Sequence, residues 1–270
     1  MQANLSCMTP SNSATNSFSL EKQRLELRFR GATLASREYL TDSYVRVRLT
    51  GDELEGFGST GHDDHIRIFL PEHPPTSIEE MREAPSREFT PLEWGTDAEG
   101  VHYLDLEFAL HGDEGVASAW AQHAPIGSVI GIGGPRGSRV ISGTPDGWLL
   151  AGDETAIAQI RRYAALIPED APALILVEVR NAGHQMPIDA PVPVEYINRG
   201  SAFPGTALAD AIANMDADDK PGEDPFVFVA AEKSIVKPAR ALAARWGVDT
   251  DRAIIKGYWK SKDTEYHAAD

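Results

Sequence analysis

The chain has 270 residues, of which 42% are hydrophobic and 24% charged, and its formal net charge is −16. That length suits one large domain or two small ones, the balance is that of an ordinary globular protein, and the acidic excess argues against a polyanionic partner such as nucleic acid. No apolar run approaches the ~20 residues that a membrane-spanning helix needs, and Cys7 is the only cysteine, which excludes an internal disulfide, a cysteine-ligated zinc site and an iron–sulfur cluster held by this chain alone.

Taken in order, residues 1–20 (MQANLSCMTPSNSATNSFSL) contain no charged residue. They have neither the basic start and apolar stretch of a secretory signal nor the arginines of a mitochondrial presequence. The expectation is a disordered tail on a cytoplasmic, monomeric protein with no membrane insertion, the fold starting near Glu21. From about 24 to 142, short segments alternate apolar and polar residues: RLELRFRGATLASREYL, YVRVRLTG, HIRIFLP, REFTPLEW, VHYLDLEFALHG and GSVIGIGGP. Period-two alternation punctuated by Gly, Pro and Asp predicts about six antiparallel strands. Closing them into a small barrel removes their edges. The insert PEHPPTSIEEMREAPS reads as a loop with one short helix.

The second half has a different texture. GWLLAG, ALILVEV, VEYINR, PFVFVAAE and AIIKGYW are apolar runs of strand length, separated by segments of helical spacing such as TAIAQIRRYAALI, TALADAIANM and ARALAARW. Such alternation implies a parallel sheet covered on both faces, a doubly wound α/β domain. Pro238 places a helix start at or just before itself. The domains are accordingly drawn at 21–142 and 143–270.

Two stretches carry chemistry. In REFT, Arg87 is a planar, permanent cation suited to a two-pronged grip on phosphate. Arg87 and Phe89 fall on one side of a strand, and Pro91 ends the pairing so that Thr90 can turn toward a ligand. An aromatic face beside a hydroxyl and a phosphate-gripping cation suits a flat heteroaromatic ring carrying phosphate. After HG at 111–112, the small residues Gly115, Ala117 and Ser118 open a helical turn, and such a turn lets backbone amides approach a diphosphate. Trp120 either flanks that ligand or anchors the turn. GIGGPRG lacks the dinucleotide fingerprint spacing and reads as a turn closing the barrel. HDDH at 62–65 and His184 lack metal-site spacing and are structural by default.

The ordered series DDHIRIFLP, REFT, FALHGDEGVASAWA, GGPRGS, WLLAGDETAIAQI, VAAEKS and GYWK resembles the siderophore-interacting family of FAD-containing ferric reductases, a branch of the ferredoxin-reductase-like flavoproteins, over residues 24–262. The resemblance implies that the barrel binds FAD: Arg87 at the pyrophosphate, Phe89 against the flavin or ribityl chain, Thr90 near the flavin edge, Leu110 and His111 beside the cofactor, and Gly115, Ala117 and Ser118 around the diphosphate. It implies that Asp153 and Thr155 hold the adenosine end or line a nicotinamide nucleotide path, and that Trp259 returns to the flavin. Phe89 stands where the family usually has tyrosine, Leu92 where it often has arginine, and Arg67 where it commonly has lysine. Lys233 is also unusual for its segment.

The implied activity is reduction of a ferric siderophore by NADH or NADPH through FAD. Hard oxygen donors hold iron(III) far better than iron(II), so one-electron reduction frees the metal. Arg67, Lys256, Lys260 and Lys262 are the candidate cations for an anionic chelate, and outer-sphere transfer demands no catalytic acid or base. A ferredoxin donor or another small acceptor is the first alternative, and a non-enzymatic siderophore-binding protein the second.

Overall fold

The structure is a computed structural model and describes residues 18–110 and 115–261. Its first half contains β1 (Ser19–Arg24), β2 (Phe29–Thr41), β3 (Tyr44–Thr50), β4 (Ile66–Phe69), the short helix α1 (Ile78–Glu83), β5 (Ser86–Phe89), β6 (Glu93–Thr96), β7 (His102–Ala109), α2 (Val116–His123), β8 (Val129–Gly133) and β9 (Gly137–Ser142). Seven of the strands form one antiparallel sheet in the order β5-β4-β8-β2-β3-β7-β6, and β1 pairs with β9 as a separate ribbon.

The expected count of about six is therefore corrected to seven. REFTPLEW, read as one strand, is two: Pro91 has no N–H for a ladder, so pairing stops there and resumes at Glu93. β5 and β6 lie at opposite edges of the sheet, yet only Thr90, Pro91 and Leu92 separate them. Three residues reach at most ~10 Å, so the sheet must curl until its edges meet. The core inside that curl is aliphatic, with Leu34, Val45, Val47, Leu49, Ile66, Ile68, Leu104 and Leu106 fully buried.

The second half is a parallel sheet in the order β12-β11-β10-β13-β14, from β10 (Gly147–Asp153), β11 (Ala173–Val179), β12 (Val194–Asn198), β13 (Pro225–Glu232) and β14 (Ala253–Trp259). Every residue of β10 and β13 is buried, as strands covered on both faces require. Helix α3 (Ile157–Ala164) packs on one face, with Ile157, Ile160 and Tyr163 in the core that also takes Trp148 and Phe226. Helices α4 (Thr206–Asn214) and α5 (Val236–Arg245) cover the other, through Leu208, Ile212, Ala239 and Leu242. Pro238 sits in the first turn of α5, where its missing N–H costs nothing. Phe18 is buried against Phe226, and the chain is already a strand at Ser19, so described structure precedes Glu21.

Candidate functional site

The barrel closure gathers one group of the residues singled out above. On β5, Arg87 and Phe89 pair opposite Ile68 and Ile66, while Glu88 pairs opposite Arg67. Phe89 therefore packs on the barrel core, its ring 4.2 Å from that of Phe108, and Phe108 lies 6.0 Å from Trp120. Leu110 and Trp120 pack on the same cluster beside buried Ala117. Phe89, Leu110, Ala117 and Trp120 thus form one patch at the start of α2, with half-buried Arg87 two residues from Phe89 on the closing strand.

Among the described residues the first turn of α2 has no side-chain acceptor. Gly115 is its N-cap and, among the described residues, no side chain caps it. Val116, Ala117 and Ser118 contribute no acidic group to that turn. Helix-start amides without an internal acceptor suit a bound anion. Small side chains, an uncapped turn, a neighbouring arginine and an aromatic patch fit the diphosphate and ring system of FAD.

The C-terminal rim of the parallel sheet is built the opposite way. Asp153, only 1% exposed, accepts from Thr155 N (2.9 Å) and Thr155 Oγ1 (2.5 Å) with one oxygen, and from Glu232 N (3.0 Å) and Trp259 Nε1 (2.8 Å) with the other. Glu178, fully buried, accepts from Gly205 N (2.6 Å) and Leu208 N (2.9 Å) and so caps α4 from a neighbouring strand. Glu232 accepts from Ser234 N (2.6 Å) and Ser261 N (3.2 Å). Glu154 accepts from Arg180 N (3.1 Å) and from Arg199 (3.2 Å). Burial pushes Asp153 and Glu178 above the usual carboxylate range. Burial also raises Glu232, but the bonds from Ser234, Ser261 and Lys233 outweigh it and leave that carboxyl below its ordinary value. Asp153, Thr155 and Trp259 are therefore bonded to one another.

Helix α3 joins the two halves. Its Gln159 amide donates to Thr90 Oγ1, and both residues are buried. Arg161 grips Glu107 of β7 at 2.5 and 2.7 Å, the same carboxylate that Arg46 of β3 holds at 2.6 Å. Arg162 donates to Ser59 Oγ (3.1 Å) and Pro91 O (3.2 Å) and lies over the Trp94 ring. Thr90 thus faces the seam between the halves. None of the partner residues Gln159, Arg161 and Arg162 was singled out from sequence, because their periodicity marks only the apolar face of a helix.

A cleft of about 460 Å³ opens between the β1–β9 ribbon, the loop before β4, and β14. Lys22, Arg24, Arg136, Arg139 and Lys256 line it, with Asp63 and Asp64. Lys22 lies directly opposite Arg139 in the ribbon, a like-charge pairing that destabilises a sheet. Lys256 pairs with Asp63 at 3.1 Å across the seam. Arg67 pairs instead with Glu88 at 2.8 Å on the barrel, and Lys260 is exposed at the end of β14. The structure therefore gathers Lys256 with four cations that the sequence reading passed over, since Lys22 and Arg139 meet only through strand pairing. His111 and Lys262 lie outside the described residues. Among the described residues no His, Cys, Asp and Glu cluster could hold a metal ion.

Comparison with known proteins places this geometry in context. Residues 33–139 match the siderophore-interacting FAD-binding domain, and residues 145–262 match the siderophore-interacting protein family. The NADPH-dependent ferric-chelate reductase of Escherichia coli is 30% identical, over 90% of this chain and 97% of that one. The ferric vibriobactin reductase of Vibrio cholerae is 25% identical, over 86% and 90%. The crystal structure of a siderophore utilization protein from T. fusca superposes with a TM-score of 0.76 at 27% identity, covering 91% of this chain and 97% of that one.

Proposed function

The chain belongs to the siderophore-interacting protein family, and from that membership we propose that it uses FAD and a nicotinamide nucleotide to reduce ferric siderophores and release iron(II). FAD supplies the conversion between a hydride pair and single electrons. The residues that would hold it are Arg87 and the first turn of α2, Gly115 to Ser118, with Phe89, Leu110 and Trp120 packed beside them. Thr90, fixed by Gln159, would present its hydroxyl at the seam. Asp153, Thr155 and Trp259 act in this reading by fixing the ends of β10, β13 and β14 where the two halves meet.

The observation that carries the substrate assignment is the opposed cation pair Lys22–Arg139, in a cleft to which both halves contribute. Like charges facing each other cost stability and are repaid when an anionic chelate lies between them. Arg24, Arg136 and Lys256 add to that field, which is focused by the low-dielectric walls of a cleft even on an acidic protein. Lys260 stands at the end of β14 and Arg67 is paired with Glu88 on the barrel, and neither lines the cleft. The donor is NADPH by likeness to the E. coli reductase. No helix among the described residues is long and apolar enough to cross a membrane.

The test is an anaerobic titration. Protein loaded with FAD and bleached by NADPH should regain flavin absorbance on addition of a ferric catecholate or hydroxamate chelate, with about two ferrous ions trapped per flavin. Protein that takes up no FAD, or reduced flavin that transfers no faster than free FAD to every chelate in a panel, would overturn the assignment.

A further inference from the structure

Helix α3 carries one buried polar side chain that packing does not ask for. Gln159, in its first turn, is 5% exposed, and an amide taken out of water costs stability unless it is hydrogen-bonded. Its Nε2 donates to Thr90 Oγ1, while its Oε1 is buried and has no partner among the described residues. An apolar side chain of the same shape would fill the place without leaving that oxygen unpaired. The bond is not needed to dock the turn either. Arg162, three residues on, donates to Pro91 O (3.2 Å), and Leu92 N donates to Asp105 O (3.1 Å). The backbone after Thr90 is thus held by two other bonds.

What the Gln159 bond does fix is a hydrogen. A threonine hydroxyl has one hydrogen to give and lone pairs to receive, and it rotates to suit its partners. With an amide hydrogen on Oγ1, the Thr90 hydrogen must point elsewhere, and among the described residues it meets no acceptor. In the reading above, Thr90 faces the edge of the flavin. The hydroxyl hydrogen then has an acceptor at the oxidised ring and loses it once that ring nitrogen carries the hydrogen of the hydride. A donor held there favours the oxidised cofactor over the reduced one. Hydrogen bonds in a chain also polarise one another, so the amide strengthens the hydroxyl as a donor. A lower potential adds drive toward iron(III), which hard oxygen donors hold against reduction.

We propose that Gln159 is a positioning residue: through Thr90 Oγ1 it fixes the threonine hydroxyl as a donor toward the flavin edge and so lowers the flavin potential. This rests on the reductase reading above and assigns the control of its reducing power to one side chain of the α/β half. The test is the midpoint potential of the FAD-loaded protein, measured anaerobically by equilibration with a dye of known potential. Gln159→Leu keeps the volume and loses both polar atoms. It should shift the equilibrium about threefold to tenfold toward reduced flavin, a rise of ~15–30 mV for a two-electron couple. Gln159→Met, a second apolar variant, should do the same. Thr90→Ser keeps the hydroxyl and should keep the wild-type potential. In a Thr90→Val background, Gln159→Leu should change nothing, since the coupling goes with its intermediary.

An unchanged potential in both Gln159 variants would overturn the proposal. So would a fall, which would mean that the amide is turned and accepts from Thr90. An equal rise in the Thr90→Val background would show that Gln159 acts without Thr90 and would overturn it too. The same holds if neither Gln159 variant keeps the FAD that the wild-type protein takes up, because Gln159 would then hold the cofactor and not tune it. In each of these cases a wild-type protein that passes electrons from NADPH to a ferric chelate leaves the reductase reading standing. If the wild-type protein takes up no FAD, that reading falls and this inference with it.

Discussion

The start of α2 and the rim of the parallel sheet are both places where backbone amides point outward, and they are finished in opposite ways. At α2 the turn is made of Gly115, Val116, Ala117 and Ser118 and carries no acidic side chain. At the rim, Asp153, Glu178 and Glu232 each accept from two or more donors, at least one of them a turn or helix-start amide. The difference is what the proposed FAD site needs: the start of α2 has no acidic side chain in its first turn, whereas at the rim Asp153, Glu178 and Glu232 accept from the α/β half's own turn and helix-start amides.

That contrast can be broken at either end. The largest effect is expected at Glu178. Glu178→Ala leaves the Gly205 and Leu208 amides buried without acceptors, at about 1–3 kcal/mol each, so urea denaturation should show a loss of roughly 2–6 kcal/mol. FAD affinity of the folded fraction should not change. Arg87→Ala should do the reverse, costing about 2 kcal/mol of FAD binding, roughly 30-fold in Kd by flavin fluorescence, with little change in the unfolding midpoint. If Glu178→Ala released FAD, or Arg87→Ala did not, the division of labour between the two regions would be wrong.

The cleft sharpens the comparison, because there the chain keeps an unfavourable pairing in place. Lys22→Gln should raise the KM for an anionic chelate several-fold yet stabilise the fold by about 0.5 kcal/mol, as a facing like-charge pair is relieved. A neutral acceptor should show no change in KM.

The remaining prediction concerns pH. Burial, and then the field of Arg162, lowers His62 to about 4, below its usual 6.5. The unfolded chain therefore binds a proton that the folded one refuses, and stability should fall as pH drops from about 6.5 toward 4. His62→Asn should flatten that part of the profile in thermal melts. Unchanged pH dependence would remove His62 as the cause.

Much of this was legible in the sequence, and for identifiable reasons. The strands of the α/β half were read because runs such as PFVFVAAE are buried on both faces and tolerate no polar interruption. The barrel strands were read from alternation, yet their count was low by one because a proline inside an alternating run marks a break that pattern alone does not time. For the proposed site, Arg87, Gly115, Ala117 and Ser118 were picked out as residue types suited to phosphate. Gln159, Arg161 and Arg162 were not, since side chains on a helix surface reveal their partners only once the two halves are docked. Lys22 and Arg139 were hidden for the same reason, more than a hundred residues apart in the chain and opposite each other in the ribbon.

The most direct test transplants one region's solution into the other. Ser118→Asp places a carboxylate in the first turn of α2, where the sequence has none, as the carboxylates of Asp153, Glu178 and Glu232 stand at the turn and helix-start amides of the rim. A carboxylate near a helix start is favourable by about 0.3–1 kcal/mol, so the folded protein should be as stable as wild type or slightly more so. Its affinity for FAD, measured by titrating the apoprotein and following flavin fluorescence, should fall by at least about tenfold as the diphosphate meets a fixed negative charge. Wild-type FAD affinity in a folded Ser118→Asp protein would contradict the account.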